Sequence, residues 1–144
     1  MTKKTTNASS PGLFDEMKER VLSVLSSGER EDQLILIIPS HDRKNKRLLD
    51  QRMWADAAAN LFAELYGGAT AFQALAGVFR TDDGDIQTDE PILLECYANR
   101  EHVESKTCLK GLLEFAVRMG KETNQDTVAL VVNDFMHYIK IAGR

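Results

Sequence analysis

The run Leu34-Ile35-Leu36-Ile37-Ile38, closed by Pro39, does most to narrow what this chain can fold into. It is short and rich in β-branched side chains, which favours a strand over a helix. It does not alternate, and neither does Val128-Ala129-Leu130-Val131-Val132. A strand with helices on one side and water on the other should alternate apolar and polar residues. Both runs are apolar on two faces, so each needs cover on both. Leaving such a face bare costs roughly 25 cal/mol per Å². The cover is either the N-terminal helix of the same chain or another copy. A homodimer through the open sheet face is the expectation.

The remaining elements follow from periodicity and punctuation. Ser9 and Ser10 before Pro11 start a helix, and Leu13, Phe14, Met17, Val21, Val24 and Leu25 line one side of it up to Gly28. A second helix carries Met53, Trp54, Ala57, Ala58, Leu61, Phe62 and Leu65 and stops at Gly67-Gly68. Strands are predicted over Phe72 to Arg80 and Ile92 to Ala98, on either side of the turn Thr81-Asp82-Asp83-Gly84-Asp85. Asn99 is placed to cap a long helix bearing Val103, Leu109, Leu112, Leu113, Ala116 and Val117, ending near Gly120. The fourth strand, Val128 to Val132, turns at Asn133-Asp134 into a fifth, Phe135 to Ile141. This order predicts an α+β fold: a ferredoxin-like βαββαβ antiparallel sheet with helices on one face, an N-terminal helix and an added C-terminal edge strand. Residues 1–10 are polar and without period, a disordered tail, and 11–144 form a single domain.

Bulk properties exclude several classes. At 144 residues the chain can build a core without a staple. A net charge of -4 argues against a strongly electrostatic partner such as bare duplex DNA or an anionic membrane. Cys96 and Cys108 make no disulfide scaffold. The first twelve residues have no apolar core after their lysines, so no secretory signal is expected. No apolar run is long enough for a bilayer, and the expected location is cytoplasmic.

Among reactive groups, Ser40-His41-Asp42-Arg43 follows the first strand directly. Adjacent residues on an extended loop point apart, which disfavours a Ser-His-Asp triad, and no G-x-S-x-G elbow occurs. The competing reading is a loop whose Ser and Asp bond backbone. Glu95, between Leu94 and Cys96 on a central strand, either faces a pocket as an acid or base or faces water. The predicted topology puts His41 and His102 roughly 20 Å apart at ~3.3 Å per residue, and His137 about three strand spacings of ~4.8 Å from the third strand. No metal site and no cofactor are therefore expected. Arg43, Lys44, Lys46, Arg47 and Arg52 could contact phosphates or could balance the hairpin acids Asp82, Asp83, Asp85, Asp89 and Glu90. Gly67-Gly68 leads from a helix into a strand, the wrong way round for a phosphate cradle.

Three stretches, Ile38-Pro39-Ser40-His41-Asp42, Leu65-Tyr66-Gly67-Gly68-Ala69-Thr70 and Gln125-Asp126-Thr127-Val128-Ala129-Leu130, carry a resemblance. Over residues 33–141 the chain resembles a loose group of small uncharacterised bacterial proteins carried on mobile cassettes or beside restriction and defence genes. The likeness implies a bacterial cytoplasmic origin and raises accessory roles in mobile-DNA systems. It places no catalytic residue.

Three function classes remain. The first is a non-catalytic binding or interaction domain, dimeric through its sheet. The second is a small-molecule enzyme or ligand binder, which a pocket lined by His41, Asp42 or Glu95 would favour. The third is an accessory that contacts nucleic acid through residues 43–52.

Overall fold

The computed structural model describes residues 12–24 and 30–143. Its elements are α1 (Leu13–Val24), β1 (Asp32–Ile38), α2 (Gln51–Tyr66), β2 (Thr70–Gln73), β3 (Gly77–Arg80), β4 (Ile86–Asp89), β5 (Ile92–Ala98), α3 (Arg100–Glu104), α4 (Lys106–Glu122), β6 (Thr127–Val132) and β7 (Phe135–Lys140). The expected tail at 1–10 and the end of the first helix at 25–28 lie outside the described residues.

The apolar run at 34–38 belongs to the central strand. The sheet order is β2-β5-β1-β6-β7, and every neighbouring pair is antiparallel. β1 pairs with β5 from Asp32↔Ala98 to Ile38↔Ile92 and with β6 through Leu34↔Val132 and Leu36↔Leu130. Leu34, Leu36 and Ile38 join Leu94, Cys96, Val128 and Leu130 on the buried face, under Trp54, Ala58 and Phe62 of α2 and Leu112, Phe115, Ala116 and Met119 of α4. A mixed α+β protein with an antiparallel sheet is thus borne out.

Directly paired residues share a face, so the opposite face can be read from the register. One row runs Thr70, Glu95, Ile35, Val131, Met136 across all five strands, with Phe72, Leu93, Ile37 and Gln33, Tyr97 beside it. Phe72, Tyr97, Met136 and Tyr138 keep about half or more of their surface in solvent. Among the described side chains of α1, the apolar Leu13, Phe14, Met17 and Val21 are exposed as well.

Four local expectations are corrected. The strand expected over Phe72 to Arg80 is two: β2 ends at Gln73, and β3 pairs with β4 as a separate two-stranded sheet. The partner side explains the break. Pro91 has no N–H to extend the ladder below Ile92, and Ala74 N–H closes on the Pro91 carbonyl instead, at 2.9 Å. The long helix expected from Asn99 is also two. Asn99 makes no side-chain cap, whereas Ser105 is extended and its Oγ accepts the Cys108 N–H at 3.3 Å, starting α4 afresh. The buried stripe of α2 is Trp54, Ala55, Ala58, Phe62 and Tyr66, and Met53 faces water. In α4 the buried side chains include Phe115 and Met119, and Leu109 and Leu113 are exposed. The helix stop is as expected: Gly67 adopts φ 93° and gives its N–H to the Ala63 carbonyl at 3.0 Å.

Candidate functional site

The chain leaves β1 at Pro39 and folds back on itself at once. Leu48 N–H bonds the Ser40 carbonyl at 2.8 Å, and Asp42 N–H bonds the Lys46 carbonyl at 2.8 Å. One carboxylate oxygen of Asp42 accepts the N–H groups of Lys44 and Lys46 at 2.8 and 2.9 Å. Those bonds, Lys46 first, hold the Asp42 carboxyl below the usual carboxylate range. Asn45 takes the left-handed position of this turn, at φ 60°. For Asp42 the structural role is therefore plain: its side chain builds the loop.

Ser40 is 1% exposed. Its hydroxyl accepts the Glu90 N–H at 2.8 Å and lies 2.7 Å from Nδ1 of His41. The one hydroxyl therefore contacts both the base of the hairpin and the His41 ring. Ser40 thus acts as a clamp between β1 and the chain returning from β4. The same return is held by Gln51 and Gln73, whose side-chain amides both donate to the Glu90 carbonyl at 2.9 Å.

These contacts set the loop at 40–47 opposite the β3–β4 hairpin, with the approach to β6 closing the third side. Between them lies a cleft of about 490 Å³. His41, Asp42 and Arg43 line one wall, and Phe79, Asp85 and Asp89 line the facing one. Gln125 closes the base, 8% exposed, and gives its amide to the His41 carbonyl at 2.9 Å. Asp89 is half-buried; burial raises its carboxyl, and the His41 charge works against the rise. Gly77 opposes Asp89 in the hairpin, and a Cβ there would meet the Asp89 carboxylate, so glycine leaves the space that carboxylate occupies.

Four of the five candidate residues are thereby brought together: Ser40, His41, Asp42 and Arg43. Glu95 is not among them. It sits on the open sheet face and accepts a hydrogen bond from Gln33 Nε2 at 2.7 Å. Of its two readings, pocket acid or residue on the open side of the sheet, the strand parity gives the second, opposite the helices and away from the loop end. Of the basic stretch, Arg47 pairs with Glu90 at 2.7 Å and Arg52 with Asp56 at 3.1 Å. Arg43 meets Asp126 at 3.4 Å. Among the described residues no group of three or more His, Cys, Asp or Glu could hold a metal ion, and no helix is long and apolar enough to cross a membrane.

Sequence reasoning missed Phe79 and Gln125 as cleft residues and counted Asp89 only as a hairpin charge. The available signals were the Asp-Gly turn, which joins the strand of Phe79 to that of Asp89, and the Gln125-Asp126 stretch that carried part of the resemblance.

No family model matches the chain, and no curated protein matches it in sequence. Solved structures do match in fold. A phage SAM lyase in complex with S-methyl-5'-thioadenosine superposes with a TM-score of 0.58 at 11% identity, over 84% of this chain and 98% of that one. The same coverage and TM-score hold for a phage SAM lyase in its apo state, at 8% identity. The divalent ion tolerance protein CutA1 from Ehrlichia chaffeensis gives a TM-score of 0.39 at 17% identity, over 72% and 79% of the two chains. At these identities the SAM lyases share a fold with this chain.

Proposed function

We propose that the protein binds a small metabolite in the cleft between the 40–47 loop and the β3–β4 hairpin, as an enzyme or ligand-binding domain, and that the metabolite is a sulfur-bearing nucleoside. The cleft carries this reading. Its volume, about 490 Å³, lies within the range of roughly 300–1,000 Å³ common for small-molecule sites. His41, oriented by the buried Ser40 hydroxyl, supplies a nitrogen suited to bonding a ligand or moving a proton. The nucleoside class is supported by the shared fold with a phage SAM lyase whose solved structure holds S-methyl-5'-thioadenosine. Of the three classes open from sequence, the cleft favours this one. Arg43 and Arg47 are drawn to Asp126 and Glu90, which leaves the basic stretch less suited to phosphates.

The same reading takes the strand order as the ferredoxin-like βαββαβ arrangement, β6-β1-β5-β2, with β7 added at one edge. It also places a second copy on the open sheet face. Five strands at ~4.8 Å spacing and ~3.4 Å per residue make a face of roughly 500 Å², on which Phe72, Ile37, Ile35, Val131 and Met136 stand beside the polar Thr70, Gln33 and Glu95.

Native mass spectrometry of freshly purified protein tests the reading. The expected result is a dimer carrying extra mass in the nucleoside range, or one that gains it from added S-methyl-5'-thioadenosine or S-adenosylmethionine, with binding weakened in His41→Ala. A chain that stays bare with both compounds at millimolar concentration would remove the proposal.

A further inference from the structure

The cleft has more carboxylates than cations. Asp42, Asp82, Asp83, Asp85, Asp89 and Asp126 line it, against Arg43 and Arg80. Two of the carboxylates are engaged already, Asp42 by the N–H groups of its own loop and Asp126 by Arg43. Among the described residues no ion pair engages Asp82, Asp83, Asp85 or Asp89. The nearby Arg47 is turned to Glu90. Asp89 is the one partly withdrawn from water; within the chain the His41 charge acts on it, and a ligand cation would add to that counter-charge.

A second feature bears on what brings that charge. Phe79 stands on the same hairpin wall, paired with Gln87 in the register and 48% exposed. A hydrated metal ion gains nothing from an aromatic face, whereas an organic cation with a flat body uses both the ring and the carboxylates. Two-stranded hairpins gain little stability on their own. The exposed half of the Phe79 ring is open to a ligand body in the cleft.

We infer that the cleft selects an organic cation, and within the nucleoside class proposed above a sulfonium, with the nucleoside body against Phe79 and the positive sulfur toward Asp89 and the hairpin carboxylates. This rests on the cleft being the ligand site and adds the sign of the ligand's charge.

The test is isothermal titration calorimetry of the full chain at low salt with two probes, S-adenosylmethionine and S-adenosylhomocysteine. They differ by one methyl group and by the charge on sulfur. The expected preference for the sulfonium is about tenfold or more, the scale of one charge-assisted contact. It should shrink toward unity in Asp89→Asn and, for a variant on the exposed turn that leaves the hairpin base alone, in Asp83→Asn. The homocysteine affinity should change little in either. Equal affinities for the two probes, or a preference unmoved by both substitutions, would overturn the charge selection and leave the cleft reading standing. Binding of neither probe, nor of S-methyl-5'-thioadenosine, would overturn the nucleoside reading and this inference with it.

Discussion

Ser40 and His41 are neighbours in sequence whose side chains also bond each other, Oγ to Nδ1 at 2.7 Å, while the same Oγ accepts the Glu90 N–H at 2.8 Å. A single buried hydroxyl therefore fixes a histidine and ties the end of β1 to the base of the hairpin. Ser40→Ala leaves the Glu90 N–H without its partner and should destabilise the protein by about 1–3 kcal/mol. The check is the midpoint of urea unfolding, with an unchanged slope showing that the native fold persists.

Two glycines of α4 should respond in opposite directions. Replacing glycine by alanine in a helix ordinarily gains up to ~1 kcal/mol. At Gly111 the new methyl would meet only Leu65 side-chain carbons at 3.6 Å, an ordinary contact, so Gly111→Ala should stabilise by that order. At Gly120 it would collide with the Ile141 side chain and crowd Val128. Gly120→Ala should cost about 1–3 kcal/mol, and Ile141→Val in the same chain should recover part of it. Thermal melts of the three variants decide the signs.

Asp32 is buried beside Arg100, whose Nη2 donates to it at 3.2 Å, and Asn133, whose Nδ2 donates at 3.0 Å. Arg100 first, then Asn133, hold its carboxyl below the ordinary value of 3.8. A depressed carboxyl adds stability that is complete above that ordinary value and is lost as pH falls through the lower folded one. The wild type should therefore weaken on acidification below about pH 4 more steeply than Asp32→Asn, which starts less stable. Denaturant midpoints measured from pH 7 down to pH 2 test this; parallel curves would refute it.

Cys96 points into the core, and burial pushes its thiol up to about 11. At pH 8 only about one molecule in a thousand would carry the thiolate. Iodoacetamide on native protein should leave Cys96 unmodified over hours. Cys108, half-buried with its Sγ 3.7 Å from the Leu65 carbonyl, should react first. Peptide mass mapping with and without denaturant distinguishes the two.

If a second copy covers the open sheet face, charges placed in it should separate the copies. Tyr97→Lys with Met136→Lys should convert a dimer to a monomer with little loss of fold, since both side chains are about half exposed. Light scattering after size exclusion measures the mass. A wild-type monomer would remove this part of the proposal.

Much of the architecture was legible in the sequence because it is encoded locally. The apolar run at 34–38, the Asp-Gly turn, the glycine stop at 67 and the turn at Asn133-Asp134 each act within a few residues. The positive φ of Gly67, Gly84 and Asn133 falls where those signals put it. The errors came where two local signals competed. Ser105 out-competed Asn99 as a cap, and Pro91 ended a ladder that Phe72 to Arg80 alone would have continued.

The candidate site divides the same way. Ser40, His41, Asp42 and Arg43 stood out from sequence because they follow a strand end, and strand position is a local property. Their partners could not stand out, since Phe79, Asp89 and Gln125 are far along the chain and reach the loop only through the hairpin and the α4–β6 connection. Glu95 stayed open between two readings for a related reason: alternation puts a residue on one of two faces, and only the packing of α2 and α4 decides which face is covered. By itself, then, the sequence determined most of the elements and their order, consequences of short-range sterics and side-chain period. The tertiary structure alone decided which residues meet across the cleft and which sheet face stays open, because those follow from contacts between segments that no local pattern encodes.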